Sequence, residues 1–325
     1  MSARPTTRND TLPDLTISRV FAAPRELMFR LWTQPEHIVR WWGPHDFTVP
    51  HAEFDARPGG RLRIDFRGPD GEVFPNYGEV REVSPFDRLV FTTEYRHGGD
   101  KLLVGSLVTV TFSDEDKKTR VTIRAEVFHA EPEPADSLAG MEAGWNQQVD
   151  KLELEAVFAK SGDAKRLAVA LPEGRPYVLM TRMLDGPREL VWACMTQPQH
   201  FSRWWGPRGY TNEITAFEAR VGGKWRVIQR NPEGQEFIFR GAFRELVAPE
   251  RLVWTLGMEN MFEGAEGVET HILEEFGDRT RYTAISRFPS LEARDGVAAT
   301  GMEWGAGESM DRLEELLQEM ARPRS

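Results

Sequence analysis

A chain of 325 residues is longer than one ordinary hydrophobic core supports and predicts about two domains. Its net charge of −10 disfavours nucleic acid and anionic membrane surfaces as partners, and no run of about 18 apolar residues suggests a membrane span. The single cysteine, Cys194, excludes an intramolecular disulfide and any multi-cysteine metal site, and Met1 to Asp10 has no apolar export segment; together these predict a cytoplasmic protein.

In chain order, a short strand over Leu15 to Phe21 leads to Pro24, expected at the first helical position, and an apolar-periodic helix through Leu27, Met28, Leu31 and Trp32. Pro35 opens a second short helix that stops at Trp42-Gly43-Pro44, where glycine caps and proline cannot continue. Strands bounded by Pro-Gly-Gly and Pro-Asp-Gly turns follow: Thr48 to Asp55, Arg61 to Arg67, Val73 to Val83, Arg88 to Tyr95, Leu107 to Phe112 and Arg120 to Phe128. Successive strands with tight turns predict an antiparallel meander, and Asp114 to Lys118 reads as a solvated hairpin tip. A long helix, about Pro134 to Lys160, closes the unit with Met141, Trp145, Leu152 and Ala156 on one face.

All of this then recurs. Thr33 to Pro44 (TQPEHIVRWWGP) returns as Thr196 to Pro207 (TQPQHFSRWWGP), a shift of 196 − 33 = 163. The same shift carries Gly59-Gly60 onto Gly222-Gly223 and Arg88-Leu89-Val90 onto Arg251-Leu252-Val253; beyond a hairpin two residues shorter it becomes 161, as in Gly140-Met141-Glu142 against Gly301-Met302-Glu303. The closing stripe of the second copy is Met302, Ala306, Leu313 and Leu317, with Glu314, Glu315 and Glu319 expected on its outer face. The expected fold class is therefore α+β, with domains over 12–160 and 177–322 joined by a linker over 161–176.

The order of WWGP, Arg-Pro-Gly-Gly, GEVREVSPFDRLVF, a Thr-Arg-Val-Thr strand and a final helix with Gly144-Trp145 resembles the heat-shock-protein-90 ATPase activator C-terminal-type family. That family lies within the START-related, helix-grip superfamily called SRPBCC, which also includes polyketide cyclases and plant Bet v-type allergens. The resemblance covers both copies and implies a pocket between the long helix and a curved sheet. It implies no single activity, because the scaffold hosts many. The second copy departs from the pattern at Gly305-Ala306, with its tryptophan displaced to Trp304.

Three functions are open at this stage. The first is binding of a small hydrophobic molecule in each cavity, without catalysis or cofactor. The second is regulation of a chaperone by protein binding, and the third a cyclase- or hydrolase-type enzyme. Trp41-Trp42 and Trp204-Trp205 are candidates for a pocket mouth, since adjacent helix-end residues are not expected to face one core. Strand alternation turns Leu62, Ile64, Phe91, Val110 and Phe112 inward, and Trp225 and Val227 in the second copy. Met141, Trp145, Trp254 and Met302 complete the candidate ligand walls. Glu269 and His271 stand where the first copy has Val108 and Val110, so an inward register places a polar pair inside the second pocket, suited to orienting a ligand or moving a proton. His37 and His200, without carboxylates at ligand spacing, are expected to pack at a seam, and no metal site is expected.

Overall fold

A computed structural model describes residues 14–97, 101–130, 140–259 and 266–321. The chain divides into two compact units, 1–160 and 161–325. In the first, β1 (Asp14–Phe21) leads to helices α1 (Arg25–Thr33) and α2 (Pro35–Trp41). The strands β2 (Thr48–Phe54), β3 (Arg61–Arg67), β4 (Val73–Ser84), β5 (Arg88–His97), β6 (Lys101–Glu115) and β7 (Lys118–Ala130) follow, and α3 (Met141–Ser161) closes the unit. The sheet order is β1-β7-β6-β5-β4-β3-β2, every pairing antiparallel: a meander whose last strand returns to the first. Pro24 stands one residue outside α1 as its cap, whereas Pro35 occupies the start of α2 as expected. The expected start of the long helix at Pro134 lies outside the described residues.

The second unit repeats the plan with β9 (Tyr177–Leu184), α4 (Arg188–Thr196), α5 (Pro198–Trp204), β10 (Thr211–Phe217) and β11 (Lys224–Arg230). It continues through β12 (Glu236–Val247), β13 (Arg251–Met258), β14 (Gly267–Phe276) and β15 (Arg279–Arg287) to a final helix, α7 (Met302–Ala321). Two additions were not expected. Residues 161–176, read as a linker, contain β8 (Ala168–Ala170), which pairs with β9 and becomes the eighth strand of the sheet. A short helix α6 (Leu291–Ala298) precedes α7, started by Ser290, whose hydroxyl accepts from the Ala293 amide at 3.1 Å.

The inner faces alternate as expected: Leu62, Ile64 and Phe66 on β3 and Trp225, Val227 and Gln229 on β11 are all buried. The register shifts at matching places, Val80/Glu82 and Phe243/Glu245, where a bulge locally bends a strand. Glu314, expected on the outer face of α7, is instead 7 % exposed and accepts from the Asp185 amide at 3.1 Å. It satisfies a backbone donor at the end of β9, a contact that helical spacing cannot reveal.

The segment after each second short helix is bolted to the long helix by polar side chains. Gln148 accepts from the Gly43 amide at 3.1 Å, and Lys151 donates to the carbonyls of Trp42, Pro44 and Phe47 at 3.3, 3.3 and 3.0 Å. In the second unit Ser309 accepts from Gly206 at 2.9 Å, while Arg312 donates to Trp205, Gly206 and Pro207 at 3.3, 2.8 and 3.0 Å. Both long helices thus supply donors to the carbonyls of the loop that follows the short helix. Gly206 lies at φ +84°, and a Cβ there would sit 2.0 Å from the Gln229 amide nitrogen, so only glycine permits this turn.

Candidate functional site

The two interiors share a ring cluster around the second short helix and differ in the rings that complete it. In the first, the rings stand on helices: Trp32 to Trp41 at 4.7 Å, Trp41 to Trp42 at 4.8 Å and Trp42 to Trp145 at 6.2 Å, with Phe91 beneath Trp42 at 5.9 Å. In the second, Met195 and Ala306 stand at the places of Trp32 and Trp145, and Trp225 and Phe243 of the sheet, where the first unit has Leu62 and Val80, join the rings of α5. Trp225 and Trp254 lie 5.5 Å apart, and Phe243 lies 6.0 Å from Trp254. Trp304, the displaced tryptophan, is 60 % exposed.

The paired tryptophans do not form a mouth in the first unit. Trp41 and Trp42 are 0 % and 1 % exposed and share one core, contrary to the expectation from helical spacing. The helix ends at Trp41, and the Trp42 side chain, at φ −66°, still leaves the backbone in the helical direction; both rings are covered because Trp32 of α1 packs on the pair while Phe91 of the sheet and Trp145 of α3 close over Trp42. Trp41 also donates its indole N–H to the Leu31 carbonyl at 2.8 Å, as Trp204 does to Cys194 at 2.9 Å. Trp205 remains half-buried and stacks on Phe201 at 4.8 Å. Val110 and Phe112 are buried in the first core, and Met141 and Met302 pack partly buried against their respective cores.

Glu269 and His271 face inward, into the second core. The register sets Glu269 opposite Trp254 on one side and Ser286 on the other. Its carboxylate accepts from the Trp254 indole at 2.8 Å and from the Ser286 hydroxyl at 2.8 Å. His271, 4 % exposed, lies edge-on to the Trp254 ring at 4.5 Å, and its Nδ1 is 2.9 Å from the Tyr282 hydroxyl. Burial, with the negative charge of Glu269 adding to it, pushes the Tyr282 phenol up, so it stays protonated. Burial alone would raise the Glu269 carboxyl, but the neighbouring His271 and the donors Trp254 and Ser286 outweigh it and hold the carboxyl below its ordinary range.

The tautomer follows from the network. The His271 Nε2 is 3.6 Å from a Glu269 oxygen, a position that favours hydrogen on that nitrogen, so Nδ1 accepts from the Tyr282 hydroxyl. At 3.6 Å the buried Nε2 meets Glu269 only over a long contact, so its hydrogen is weakly engaged beside the Trp254 ring. In the first unit the same five places hold Phe91, Val108, Val110, Val121 and Ala125, none of them polar. Tyr282 and Ser286 were missed by sequence reading; the signal was available in the same shift of 161, which sets them against Val121 and Ala125.

One histidine of the repeat meets a carboxylate that local spacing did not show. His37 Nδ1 lies 2.7 Å from Glu155, a carboxylate 0 % exposed on α3 that also meets Arg40 at 3.3 Å. The partner is remote in sequence, on the closing helix, so local spacing could not show it; at the place of Glu155 the second unit has Leu316. Among the described residues no group of three or more His, Cys, Asp or Glu could hold a metal ion, and no helix is long and apolar enough to cross a membrane. An open cleft of about 390 Å³ runs beside α7, lined by Arg203, Arg208, Arg312 and Glu315 among others. Its cations are engaged: Arg208 with Glu315 at 2.8 Å, Arg203 with Glu319 at 2.6 Å, and Arg312 with the backbone carbonyls above.

Cys194 is fully buried and burial pushes its thiol up to about 11, against a smaller opposing effect of Arg203. The folded protein is therefore expected to react with 5,5′-dithiobis(2-nitrobenzoate) only on unfolding. Rapid labelling under native conditions would contradict that burial.

Among solved structures, the chain is similar to a protein from Arthrobacter aurescens at 29 % identity and TM-score 0.45, over 48 % of this chain and 93 % of that one. A Rhodobacter sphaeroides protein is 25 % identical at TM-score 0.44, over 47 % of this chain and 99 % of its own. The AHSA1 protein of Silicibacter pomeroyi is 23 % identical at TM-score 0.39, over 44 % and 96 %. No curated protein matches the chain. The family model described as "Activator of Hsp90 ATPase homolog 1-like protein" matches residues 22–156 and again 185–318. With two antiparallel sheets, each closed by a long helix and each mostly within one of these matches, the chain belongs to the activator of Hsp90 ATPase homolog 1-like family and carries its helix-grip domain in tandem.

Proposed function

We propose that the protein binds small, largely apolar molecules within its helix-grip units, and that the second unit orients its guest through His271. The observation that carries this reading is the polar pair of His271 and Glu269, set in the core beside Trp254 at places where the first unit has only Val110, Val108 and Phe91. Partly buried Trp205, Phe239, Leu256, Phe288, Met302 and Ala306 pack on this core and supply the apolar walls. Glu269, 12 % exposed, and Ser286 set the polar end of the chamber. A cytoplasmic location is part of the proposal, supported by the one free cysteine.

Native mass spectrometry of the full chain against a panel of lipids and aromatic metabolites tests it. Adducts are expected, and His271→Leu should weaken the best of them about tenfold, the worth of one neutral hydrogen bond. No adduct across the panel, or equal binding by His271→Leu, would count against it. A second reading, proton transfer by the same array, is favoured by the 2.9 Å contact between His271 and Tyr282. It requires turnover of a bound compound that Tyr282→Phe slows without loss of binding. Regulation of a chaperone rests on the family's description alone and needs a surface rather than this interior.

A further inference from the structure

The first unit, apolar where the second has its histidine, has a polar locus elsewhere on its inner face. Asn76 on β4 is 0 % exposed and sits on the inward parity of Val80, with Ile64 of β3 on one side and Tyr95 of β5 on the other. Two residues along β5 from Tyr95, Thr93 faces Ser106 of β6, and both are buried, at 3 % and 5 % exposed. Cross-strand partners place their Cβ atoms about 5 Å apart, so these four polar side chains form one patch on the sheet. Tyr95 stacks on Phe66 at 5.6 Å, and burial raises its phenol, which stays protonated.

The orientation of the Asn76 amide is settled by its partner. Its Oδ1 accepts from the Glu94 backbone N–H at 3.0 Å, and an N–H donor requires oxygen there, so Nδ2 is the free end. That nitrogen is buried and makes no hydrogen bond. The backbone contact explains why an amide oxygen is useful at this place; it does not explain the two unused donor hydrogens, since an unsatisfied buried amide opposes folding. The corresponding residue of the second unit is Phe239, and Thr93 and Ser106 correspond there to Leu256 and Gly267. The polar loci of the two units are therefore on different strand positions, displaced rather than duplicated.

We infer that the first unit has its own hydrogen-bonding site, centred on Asn76 Nδ2 with Tyr95, Thr93 and Ser106, which takes the carbonyl oxygen of an otherwise apolar ring compound. This rests on the reading that the helix-grip interiors take up small molecules, and adds that the two units select different guests. A neutral amide donor among a stacked phenol and phenyl ring suits an uncharged acceptor, whereas the histidine, glutamate and tyrosine of the second unit form a more strongly polarised end.

The test uses the full chain and a matched pair of probes, 2-acetylnaphthalene and 2-ethylnaphthalene, which differ in one carbonyl. Titrated into ¹⁵N-labelled protein, 2-acetylnaphthalene is expected to shift the Asn76 side-chain amide resonances and to bind about tenfold more tightly there than 2-ethylnaphthalene. Asn76→Leu should erase that preference while leaving any probe-induced shift of the Trp254 indole resonance unchanged. If Asn76→Leu proves unstable, the wild-type Asn76 resonances decide alone. Equal affinity for the two probes at this site, or Asn76 resonances unmoved while Trp254 responds, would overturn the inference and leave the proposed function standing. Silence of both Asn76 and Trp254 with every probe would overturn both. A shift of the Asn76 resonances with ethylnaphthalene alone would show an apolar site in which the amide takes no part.

Discussion

Replacing Trp41 by alanine is expected to destabilise the first unit by roughly 3–5 kcal/mol, the usual range for removing a fully buried large aromatic side chain. Trp41 is 0 % exposed, touches Trp32 and Trp42 at 4.7 and 4.8 Å, and donates to the Leu31 carbonyl. Alanine removes the ring, leaves a cavity between rigid neighbours that cannot collapse into it, and strands a buried carbonyl at the end of α1. Trp304→Ala serves as the contrast: a ring 60 % exposed should cost little when truncated. Hydrogen exchange on the full chain, read separately for peptides of each unit, would locate the loss. Protection in β3 and β5 unchanged by Trp41→Ala would refute the packing described.

The second large effect is electrostatic. Arg19 on β1 is ion-paired with Asp150 on α3, whose side chain is 1 % exposed, and the only other cation-capable group within 4 Å of that carboxylate among the described residues is His45 at 3.4 Å. Arg19→Met leaves a buried carboxylate without its main countercharge, and breaking such a pair costs roughly 3–5 kcal/mol. The corresponding pair in the second unit, Arg182 with Asp311 at 2.5 Å, has its carboxylate 51 % exposed. Arg182→Met leaves that acid in water, so its cost should be well below that of Arg19→Met. Adding Asp150→Leu to Arg19→Met should recover most of the loss, since a buried pair replaced by apolar groups is often near neutral. Urea titrations of the three variants decide it: equal losses for Arg19→Met and Arg182→Met, or no recovery in the double variant, would be the contrary result.

Much of the second unit's interior could be read before any coordinates. The shift of 161 set Glu269 and His271 against two valines, and period-2 alternation made their inward placement one of only two registers. What alternation cannot supply is the partner across the sheet: Trp254 and Ser286 meet Glu269 only because β13 and β15 flank β14 in that register. His37 shows the same limit more sharply. Its carboxylate, Glu155, is 118 residues away, and no local pattern joins the two. Asn76 was passed over because a lone asparagine in a strand carries no periodic signal; only its burial and the Glu94 contact reveal the unused nitrogen.

The paired tryptophans teach the reverse lesson. Helical geometry sends neighbours to different faces, and the expectation of a mouth assumed that only one of those faces is covered. In the first unit α1, the sheet and α3 cover both, whereas Trp205, in the same backbone conformation, stays half-buried.

From the amino-acid order alone come the duplication, the positions of the short helices and most strands, the α+β class and the asymmetry between the two interiors, because each is a local or periodic property of the chain. Tertiary structure decided what faces what. It packed the helix-borne rings of the first unit, joined Tyr282 to His271, gave Lys151 and Arg312 to the carbonyls after α2 and α5, turned Nε2 of His271 towards Glu269, and left Nδ2 of Asn76 without a hydrogen bond. These depend on strand register and on a helix that returns from more than a hundred residues away, and hydrogen bonding is set by distance and angle in space rather than by separation along the chain.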